Sequence, residues 1–278
     1  MRALLAGEPF AQYGCERPAL LDVRSAPEFA AAHVSGSGSV PQVSLKALRG
    51  DLPPRDSSVL VLAGSAAAAR AAAATLETFG YRSVAWLDSA LAGLGTEARA
   101  TTPPARLWRP AAFLAEVVAE IPRGRAADLA AGSGRDAVFL AMQGFSAEAW
   151  DLLPDALDMA RSRAGRWGVA IETRTANLEA RDFALPENTY ALLTCFRYLH
   201  RQLFPVMVRA LSPGGHLVYE TYRVGQERFG HPRRARFLLG EGELKREFAT
   251  LGVEVLRYEE PEPAGGPITS RLWARKQG

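Results

Sequence analysis

The sequence predicts an α/β protein of two domains, because two stretches of alternating strands and helices are separated by a proline-rich segment. At 278 residues the chain is longer than a usual single domain. The segment Thr101-Thr102-Pro103-Pro104 cannot continue a helix and carries few large apolar groups. We therefore expect a first domain over residues 1–98, a linker over 99–106 and a second domain over 107–278.

Composition indicates a globular protein with reduced cysteines. Apolar residues make up 48% of the chain, which suffices for ordinary cores, and no apolar run is long enough to cross a membrane. The N-terminus lacks a signal-peptide pattern, so we expect a cytoplasmic protein that has no membrane partner. Only Cys15 and Cys195 are present, so neither a disulfide framework nor a metal site is expected. The net charge of +3 is too small to indicate nucleic-acid binding by itself.

The first domain begins with an apolar strand over Ala19–Val23, whose last residues lead into an arginine. This strand is followed by Glu28-Phe29, then by His33-Val34-Ser35-Gly36, and then by Pro41. A further strand, Val59–Leu62, runs into a short loop and an alanine-rich segment. Alanine has the highest helix propensity, so this segment is predicted to be a helix.

This order of residues resembles the rhodanese family of sulfurtransferases over about residues 1–98. The resemblance implies a cysteine after Val59–Leu62 that accepts sulfane sulfur, but Ala63 stands where the thiol is expected. A methyl group cannot form a persulfide, and Cys15 lies before the first matched strand. We therefore expect a non-catalytic structural or binding module, with a protein partner as one use. Its polar side chains are expected to hold the loops together: Asp22, Arg24, Glu28 and His33.

The second domain opens with a buried strand, a glycine turn and a helix within Ala126–Asp136, AADLAAGSGRD. Gly132 and Gly134 let backbone approach a ligand closely, and the helix that follows offers unpaired amides and the positive end of its dipole. Such a turn predicts a cradle for a nucleotide cofactor. Taken alone, the same turn serves equally well to pack a helix on a strand.

The later elements continue the alternation. Gly144 closes the first helix, and Asp151 ends the next strand, Ser146–Trp150, where a nucleoside-binding fold needs an acceptor for ribose hydroxyls. Alternatively, Asp151 is a turn residue or the cap of the helix that begins near Pro154. The elements predicted after it are, in order, the strands Ala170–Thr175, Tyr190–Cys195 and His216–Tyr222, the helix Glu241–Leu251, and the strands Val253–Tyr258 and Ile268–Ala274. The last two strands leave no room for a helix between them and must pair antiparallel.

This order resembles the class I S-adenosylmethionine-dependent methyltransferases over about Leu107–Gly278. The glycine loop, the acid, the turn Ser212-Pro213-Gly214-Gly215 and the hairpin all occur in the family's order, and GSGRDAVFLA with FRYLHRQLFP is similar to its tellurite-resistance, small-molecule type. The resemblance implies a Rossmann-like, seven-stranded sheet with an antiparallel final hairpin, and S-adenosylmethionine as the cofactor. The family's first loop glycine is Ala130 here, which the turn tolerates if its φ is negative.

The resemblance also assigns cofactor contacts to matching positions. Asp128 and the loop amides bind the methionine portion, Asp151 accepts from the ribose, and Asn177 with Leu178 borders the adenine. Asn177 replaces the acid that is more common there, so its amide both donates and accepts. Cys195 is expected to face the sheet core as a small apolar group. The predicted cofactor-binding residues are Asp128, Ala130, Gly132, Gly134, Asp151, Leu152, Asn177, Leu178 and Cys195, and no metal is predicted.

The methyl acceptor is expected at the carboxyl ends of the fourth and fifth strands, beside the sulfonium. Histidine commonly serves as a general base, so His200 is a candidate base, unless it only packs or caps a helix; a thiolate acceptor needs no base. Tyr198 and Tyr222 are candidates to orient the acceptor through their hydroxyls. The predicted catalytic residues are His200, Tyr198, Arg197 and Tyr222, and the predicted substrate-binding residues are Arg201, Glu220, Arg233 and Arg234.

A Gly-, Pro- and Arg-rich segment over residues 223–236 follows the fifth strand. It is either a lid whose arginines hold an anionic substrate or a solvated loop. The same arginines suit RNA phosphates, but no aromatic platform accompanies them. The sequence therefore predicts methyl transfer to a small-molecule acceptor. A tRNA or rRNA methyltransferase and a non-catalytic ligand-binding scaffold or sensor are the alternatives.

Overall fold

The computed structural model describes residues 2–4, 18–87, 99–100 and 103–278, so Cys15 lies outside it. The chain divides into two compact units, Met1–Arg109 and Pro110–Gly278. Part of the predicted linker belongs to the first unit, because Arg99–Ala100 pairs with His33–Val34 and the Ala105 amide donates to the Ser37 carbonyl. The limits of 1–98 and 107–278 stay a prediction.

The first unit is built on a parallel sheet in the order β1-β6-β5-β2-β4, beside a two-stranded antiparallel pair, β3 and β7. Its strands are β1 (Arg2–Leu4), β2 (Ala19–Asp22), β3 (His33–Val34), β4 (Ser37–Ser39), β5 (Val59–Leu62), β6 (Val84–Leu87) and β7 (Arg99–Ala100), and its helices are α1 (Ala26–Ala31) and α2 (Ala66–Thr78). The side chain of Ser65 caps α2 by accepting from the Ala68 amide. The buried face of α2 packs on the sheet through residues spaced three or four apart: Ala69, Ala72, Ala73 and Leu76.

The second unit is a seven-stranded sheet in the order β10-β9-β8-β11-β12-β14-β13. Its strands are β8 (Arg125–Leu129), β9 (Ser146–Asp151), β10 (Glu172–Thr175), β11 (Tyr190–Phe196), β12 (Leu211–Tyr222), β13 (Val253–Glu259) and β14 (Thr269–Lys276). Its helices are α3 (Ala112–Val117), α4 (Arg135–Met142), α5 (Pro154–Arg166), α6 (Leu203–Ala210) and α7 (Glu243–Thr250). Strand β14 is antiparallel to both of its neighbours, and the others run parallel. This confirms the predicted fold class.

One predicted turn is part of a strand in the structure. Strand β12 begins at Leu211, so Ser212-Pro213-Gly214-Gly215 belongs to the strand and runs beside β11. The pairing of β12 with β11 shifts register at this segment. A Cβ at Gly215 would lie 2.7 Å from the carbonyl oxygen of Tyr190. Only glycine allows this close approach of two backbones. Sequence spacing does not reveal it, because the constraint comes from the neighbouring strand.

The core of the second unit contains three interlocked aromatic rings. Phe204 of α6 meets Tyr219 of β12 edge to face at 5.5 Å and Phe248 of α7 at 4.7 Å between ring centroids. All three rings are fully buried, which fixes α6 and α7 against the sheet below the carboxyl ends of its strands. Among the described residues, none of the helices has both the length and the apolar character that crossing a bilayer needs.

Candidate functional site

The carboxyl ends of four neighbouring parallel strands bring the predicted cofactor residues to one edge of the sheet. Strand β8 lies between β9 and β11, with Leu129 opposite both Trp150 and Cys195. Strand β10 flanks β9, with Thr175 opposite Asp151. Residues that follow these strands therefore meet along one cleft, as expected for an open α/β sheet.

The two glycines of the loop after β8 have different structural roles. Gly134 has a φ of 71°, and a Cβ there would lie 2.4 Å from the Cβ of Ala160, so this glycine lets α5 approach the loop. Gly132 has a φ of 53°, and a Cβ there would meet nothing within 4 Å. Open space beside the backbone lets a ligand approach the loop closely, so the loop fits a nucleotide cofactor.

Ala130 adopts a left-handed conformation with a φ of 56°. The sequence analysis expected the turn to tolerate alanine if its φ is negative. The φ is positive, so this condition is not met. A non-glycine residue in this region is strained by about 1 kcal/mol. The strain lies directly between strand β8 and the loop that binds a ligand in this type of fold.

Asp151 holds the loop in place with both of its carboxylate oxygens. Its Oδ2 accepts from the Gly132 amide at 2.7 Å, and its Oδ1 accepts from the Leu153 amide at 3.0 Å. The residue in the cap position of α5 is Leu153, so Asp151 is a turn acceptor and not the helix cap. Each carboxylate oxygen has a second lone pair, which leaves acceptor capacity for ribose hydroxyls.

Two carboxyl groups lie close together behind the loop. Asp128 is buried and its Oδ1 accepts from the Thr194 hydroxyl at 2.9 Å. Burial raises the pKa of Asp128 well above its ordinary value, the nearby carboxyl of Asp136 raises it further, and the Thr194 hydrogen bond opposes this. Burial also raises the pKa of Asp136, whose Oδ1 accepts from the Ala111 amide at 2.6 Å. A bound cation would favour the charged forms of both groups.

Sequence reasoning did not select Asp136, although it stands at the end of the glycine motif. Its position in the first turn of α4 is readable from the sequence, but its hydrogen bond to Ala111 is not. That bond joins α4 to the segment before α3. Only the tertiary structure brings these two segments together.

The adenine side of the cleft follows β10. The Oδ1 of Asn177 accepts from the Glu179 amide at 3.0 Å, which closes a short turn, and Leu178 is buried. Leu152, on the neighbouring loop, is 57% exposed. Cys195 lies fully buried in the core, as predicted, and burial raises the pKa of its thiol. Cofactor contacts of these residues stay predictions.

The predicted acceptor residues form two groups, and the first has free side chains. Arg197 has a φ of 58°, and its amide donates to the Glu220 carbonyl at 2.8 Å. His200 precedes α6, and Tyr222 ends β12. In the part of the chain that the structure describes, the side chains of Arg197, His200 and Tyr222 form no hydrogen bond or ion pair, which leaves them available to an acceptor.

The second group is already engaged by the protein. Glu220 accepts from the Thr269 hydroxyl at 3.0 Å and from Nε of Arg271 at 3.3 Å. Tyr198 donates its hydroxyl hydrogen to Glu179 at 3.3 Å, so its side chain extends toward the adenine side of the cleft. Contact of these residues with the acceptor stays a prediction.

Arg201 connects the Arg-rich segment to α7. Its guanidinium pairs with Glu243 and also donates to the carbonyls of Arg236 at 3.2 Å and Leu238 at 3.0 Å. The base of the segment is further fixed by a bond from the Val224 amide to the Leu239 carbonyl. Arg233 and Arg234 are exposed and, among the described residues, their side chains form no hydrogen bond or ion pair. Either a lid or a solvated loop remains compatible with this arrangement.

In the first unit, the four selected polar side chains serve the scaffold. Asp22 forms a buried ion pair with Arg24 at 2.7 Å, and Arg24 also donates to the Ala32 carbonyl. The Glu28 carboxylate accepts from the amide and hydroxyl of Ser25, which caps α1. The Nδ1 of His33 lies 3.0 Å from the carbonyl oxygen of the phenylalanine four residues before it. These contacts agree with a supporting role.

No group of three or more His, Cys, Asp or Glu side chains is placed to hold a metal ion anywhere in the described ranges. Comparison with protein families finds a methyltransferase domain at residues 126–215 and a rhodanese-like domain at residues 10–95. No curated protein matches the sequence.

Solved structures similar to this chain include three methyltransferases or related proteins. An S-adenosylmethionine-dependent methyltransferase from Mesorhizobium loti is 21% identical, with a TM-score of 0.49, over 60% of this chain and 98% of that one. TehB from Haemophilus influenzae is 18% identical, with a TM-score of 0.48, over 59% of this chain and 61% of that one. An S-adenosylmethionine-dependent methyltransferase from Methanosarcina mazei is 17% identical, with a TM-score of 0.47, over 58% of this chain and 97% of that one.

The two family matches confirm both resemblances that the sequence motifs carried. A rhodanese-like domain precedes a methyltransferase domain in this chain. The glycine loop, the free lone pairs of Asp151 and the carboxyl groups of Asp128 and Asp136 fit S-adenosylmethionine.

The strain at Ala130 predicts a stabilising substitution. We expect Ala130→Gly to raise the free energy of unfolding of the second unit by about 0.5–1 kcal/mol, because glycine adopts positive φ without a steric cost. Thermal unfolding of the full chain measures this, using the transition that S-adenosylhomocysteine shifts. Ala131→Gly is the matched control and is expected to lower stability, since Ala131 has no positive φ. An equal loss of unfolding free energy in both variants would show that Ala130 is not strained.

The two loop glycines predict different outcomes for the same substitution. Gly134→Ala is expected to lower stability by about 2 kcal/mol or more, because the new methyl group collides with Ala160. Gly132→Ala is expected to cost about 1 kcal/mol for its positive φ, and to weaken binding of S-adenosylhomocysteine by filling the open space. Denaturation and isothermal titration separate these effects. Equal stability losses, with unchanged binding by Gly132→Ala, would refute the division of roles.

Proposed function

We propose that this methyltransferase transfers the methyl group of S-adenosylmethionine to a small-molecule acceptor. We further propose that its rhodanese-like domain is a non-catalytic binding or structural module. The observation that carries the proposal is the set of free polar side chains at the carboxyl ends of β11 and β12. Arg197 and His200 follow β11 and Tyr222 ends β12, and among the described residues their side chains form no hydrogen bond or ion pair, although the charge of Arg197 lowers the pKa of Asp136.

The bound cofactor supplies a methyl group on a sulfonium, which leaves the protein mainly to align the reactants. Alignment alone contributes on the order of 7 kcal/mol in favourable cases. The glycine loop, whose backbone is open at Gly132, and the remaining lone pairs of Asp151 would hold the cofactor. Their mutual hydrogen bond of 2.7 Å fixes the geometry before the cofactor binds.

Each of the three free side chains has a distinct role toward the methyl acceptor. The imidazole of His200 takes a proton from the acceptor as a general base. The guanidinium of Arg197 binds an anionic part of the acceptor. The hydroxyl of Tyr222 orients the acceptor by a hydrogen bond. A thiolate acceptor would arrive ionised and make the proton transfer at His200 unnecessary.

A small acceptor agrees better with the charges than a nucleic acid does. The net charge of the chain is only +3. Of the predicted substrate arginines, Arg201 has its donors engaged by the protein, which leaves Arg233 and Arg234 exposed for phosphate contacts. These two arginines support a tRNA or rRNA methyltransferase as the second candidate.

The role of the first domain rests on Ala63. The scaffold of Asp22 and Arg24 is intact, but the side chain after β5 has no ionisable atom. A protein partner of this domain belongs to the same proposal. So does a cytoplasmic location, which rests on the sequence and its small number of cysteines.

Binding of the cofactor product tests the site. In isothermal titration of the full chain with S-adenosylhomocysteine, Asp151→Ala is expected to weaken binding roughly tenfold or more, because a charged acceptor is removed. Asp155→Ala is the matched control, since Asp155 is an exposed acid in the first turn of α5. Unchanged binding by Asp151→Ala, or no binding by the folded parent, would refute the proposed site.

Identification of the acceptor tests the reaction. Incubating the chain with methyl-labelled cofactor and a metabolite extract is expected to label a small molecule, and His200→Ala to slow that labelling. If label enters RNA instead, with binding that falls steeply with salt and is lost in Arg233→Ala/Arg234→Ala, the second candidate replaces the first.

A further inference from the structure

The Arg-rich segment over residues 223–236 carries the net positive charge of the chain. It contains five arginines and one glutamate, which is a net charge of +4, whereas the whole chain has a net charge of +3. All other residues together are therefore slightly negative. Positive charge that is confined to one short segment attracts a compact anion, but it gives a long polyanion no extended basic surface to follow.

The arginines of this segment differ from those of the sheet in having no acidic partner. Every arginine on a strand of the second unit pairs with a carboxylate: Arg125, Arg174, Arg257, Arg271 and Arg275. Arg228, Arg233, Arg234 and Arg236 are exposed, and none of them forms an ion pair with another described residue. These four guanidinium groups lie within nine residues and repel one another, so a bound anion would relieve the repulsion.

Hydrogen bonds hold the backbone of the Arg-rich segment in place. The Val224 amide donates to the Leu239 carbonyl at 2.9 Å, which closes the base of the segment. The buried side chain of Gln226 accepts from the Ile268 amide at 2.8 Å and donates to the His231 carbonyl at 3.3 Å. The backbone is therefore fixed before a ligand binds, which lowers the entropic cost of binding.

The end of the segment lies beside the predicted acceptor residues. Arg201, which directly follows His200, donates to the carbonyl of Arg236 at 3.2 Å. The Leu239 amide donates to the carbonyl of Tyr222 at 3.0 Å. Because His200 follows β11 and Tyr222 ends the neighbouring strand β12, the segment borders the edge of the sheet where the acceptor is expected.

Three arginines within four residues suit one group with more than one negative charge. Arg228 donates from its Nε back to the Gly225 carbonyl at 3.3 Å, which leaves Arg233, Arg234 and Arg236. A phosphate ester carries about two negative charges and has three acceptor oxygens, to which guanidinium groups donate paired hydrogen bonds. A single carboxylate would leave most of the charge of the three arginines unpaired.

We propose that Arg233, Arg234 and Arg236 bind a phosphate group of the methyl acceptor, so that the acceptor is a small phosphate-bearing molecule. The inference rests on the proposed function and names the class of its acceptor. The phosphate is bound and is not altered in the reaction, while the methyl group is transferred to another part of the same molecule. The three arginines are then specificity-determining residues.

Removal of phosphate groups from the acceptor pool tests the inference. The full chain is incubated with methyl-labelled S-adenosylmethionine and a metabolite extract that was treated with alkaline phosphatase, which is then removed. The control extract receives inactivated phosphatase and an equal amount of inorganic phosphate, which separates loss of the acceptor from inhibition. Labelling of a small molecule is expected in the control extract and is expected to fall roughly tenfold or more after phosphatase treatment. Labelling that survives the phosphatase would overturn this inference alone, and no labelling in either extract would overturn the proposed function as well.

Two variants that remove the same charge locate the effect. Arg233→Gln/Arg234→Gln is expected to lower labelling at limiting extract roughly tenfold or more, because charge-assisted hydrogen bonds are lost, and to leave binding of S-adenosylhomocysteine unchanged in isothermal titration. Arg166→Gln/Arg209→Gln changes the last turns of α5 and α6, near the opposite edge of the sheet, and is expected to keep full labelling. Equal losses of labelling in the two variants would show an effect of net charge alone and overturn the inference.

Nuclease treatment distinguishes a small phosphate ester from the phosphates of RNA. Ribonuclease treatment of the extract is expected to leave the labelling intact, and the labelled product is expected to pass a filter that retains macromolecules. Label that enters RNA, or labelling that is lost after ribonuclease treatment, would overturn the inference and favour the second candidate function.

Discussion

The candidate site depends on the two hydrogen bonds that the carboxylate of Asp151 accepts. Asp151 ends β9 and accepts from Gly132, in the loop after β8, and from Leu153, before α5. One charged side chain therefore fixes the relative positions of two strand ends and a helix start. Because hydrogen bonds to a charged acceptor are among the stronger ones, the loop is held in shape before a ligand arrives. The cost of ordering it is then not paid at binding.

Backbone strain is concentrated at the same edge of the sheet. Outside glycine, three described residues have positive φ: Ala130, Asn188 and Arg197. Asn188 lies in a turn, where asparagine is accepted readily. The other two follow β8 and β11, which are neighbouring strands. Strain persists where the surrounding structure determines the conformation, and such positions cluster at sites of binding and catalysis.

The first unit shows that scaffold and chemistry are separable. The ion pair of Asp22 with Arg24 and the buried face of α2 maintain the sheet and its loops. Ala63 keeps the packing of the strand end, since it is buried in the same core, but its side chain has no ionisable atom. Stability of the fold therefore places no requirement on the nucleophile.

The sequence by itself determined the order of strands and helices, the antiparallel hairpin, and the loop with Gly132 and Gly134. These features depend on local periodicity, short connections and backbone freedom, which are properties of neighbouring residues. Only the tertiary structure decided that Arg201 holds the segment after β12, and that Glu179 meets Tyr198 across the cleft. These contacts join residues far apart in the chain, and long polar side chains have several partners within reach. Which partner they choose depends on how the strands and helices pack together.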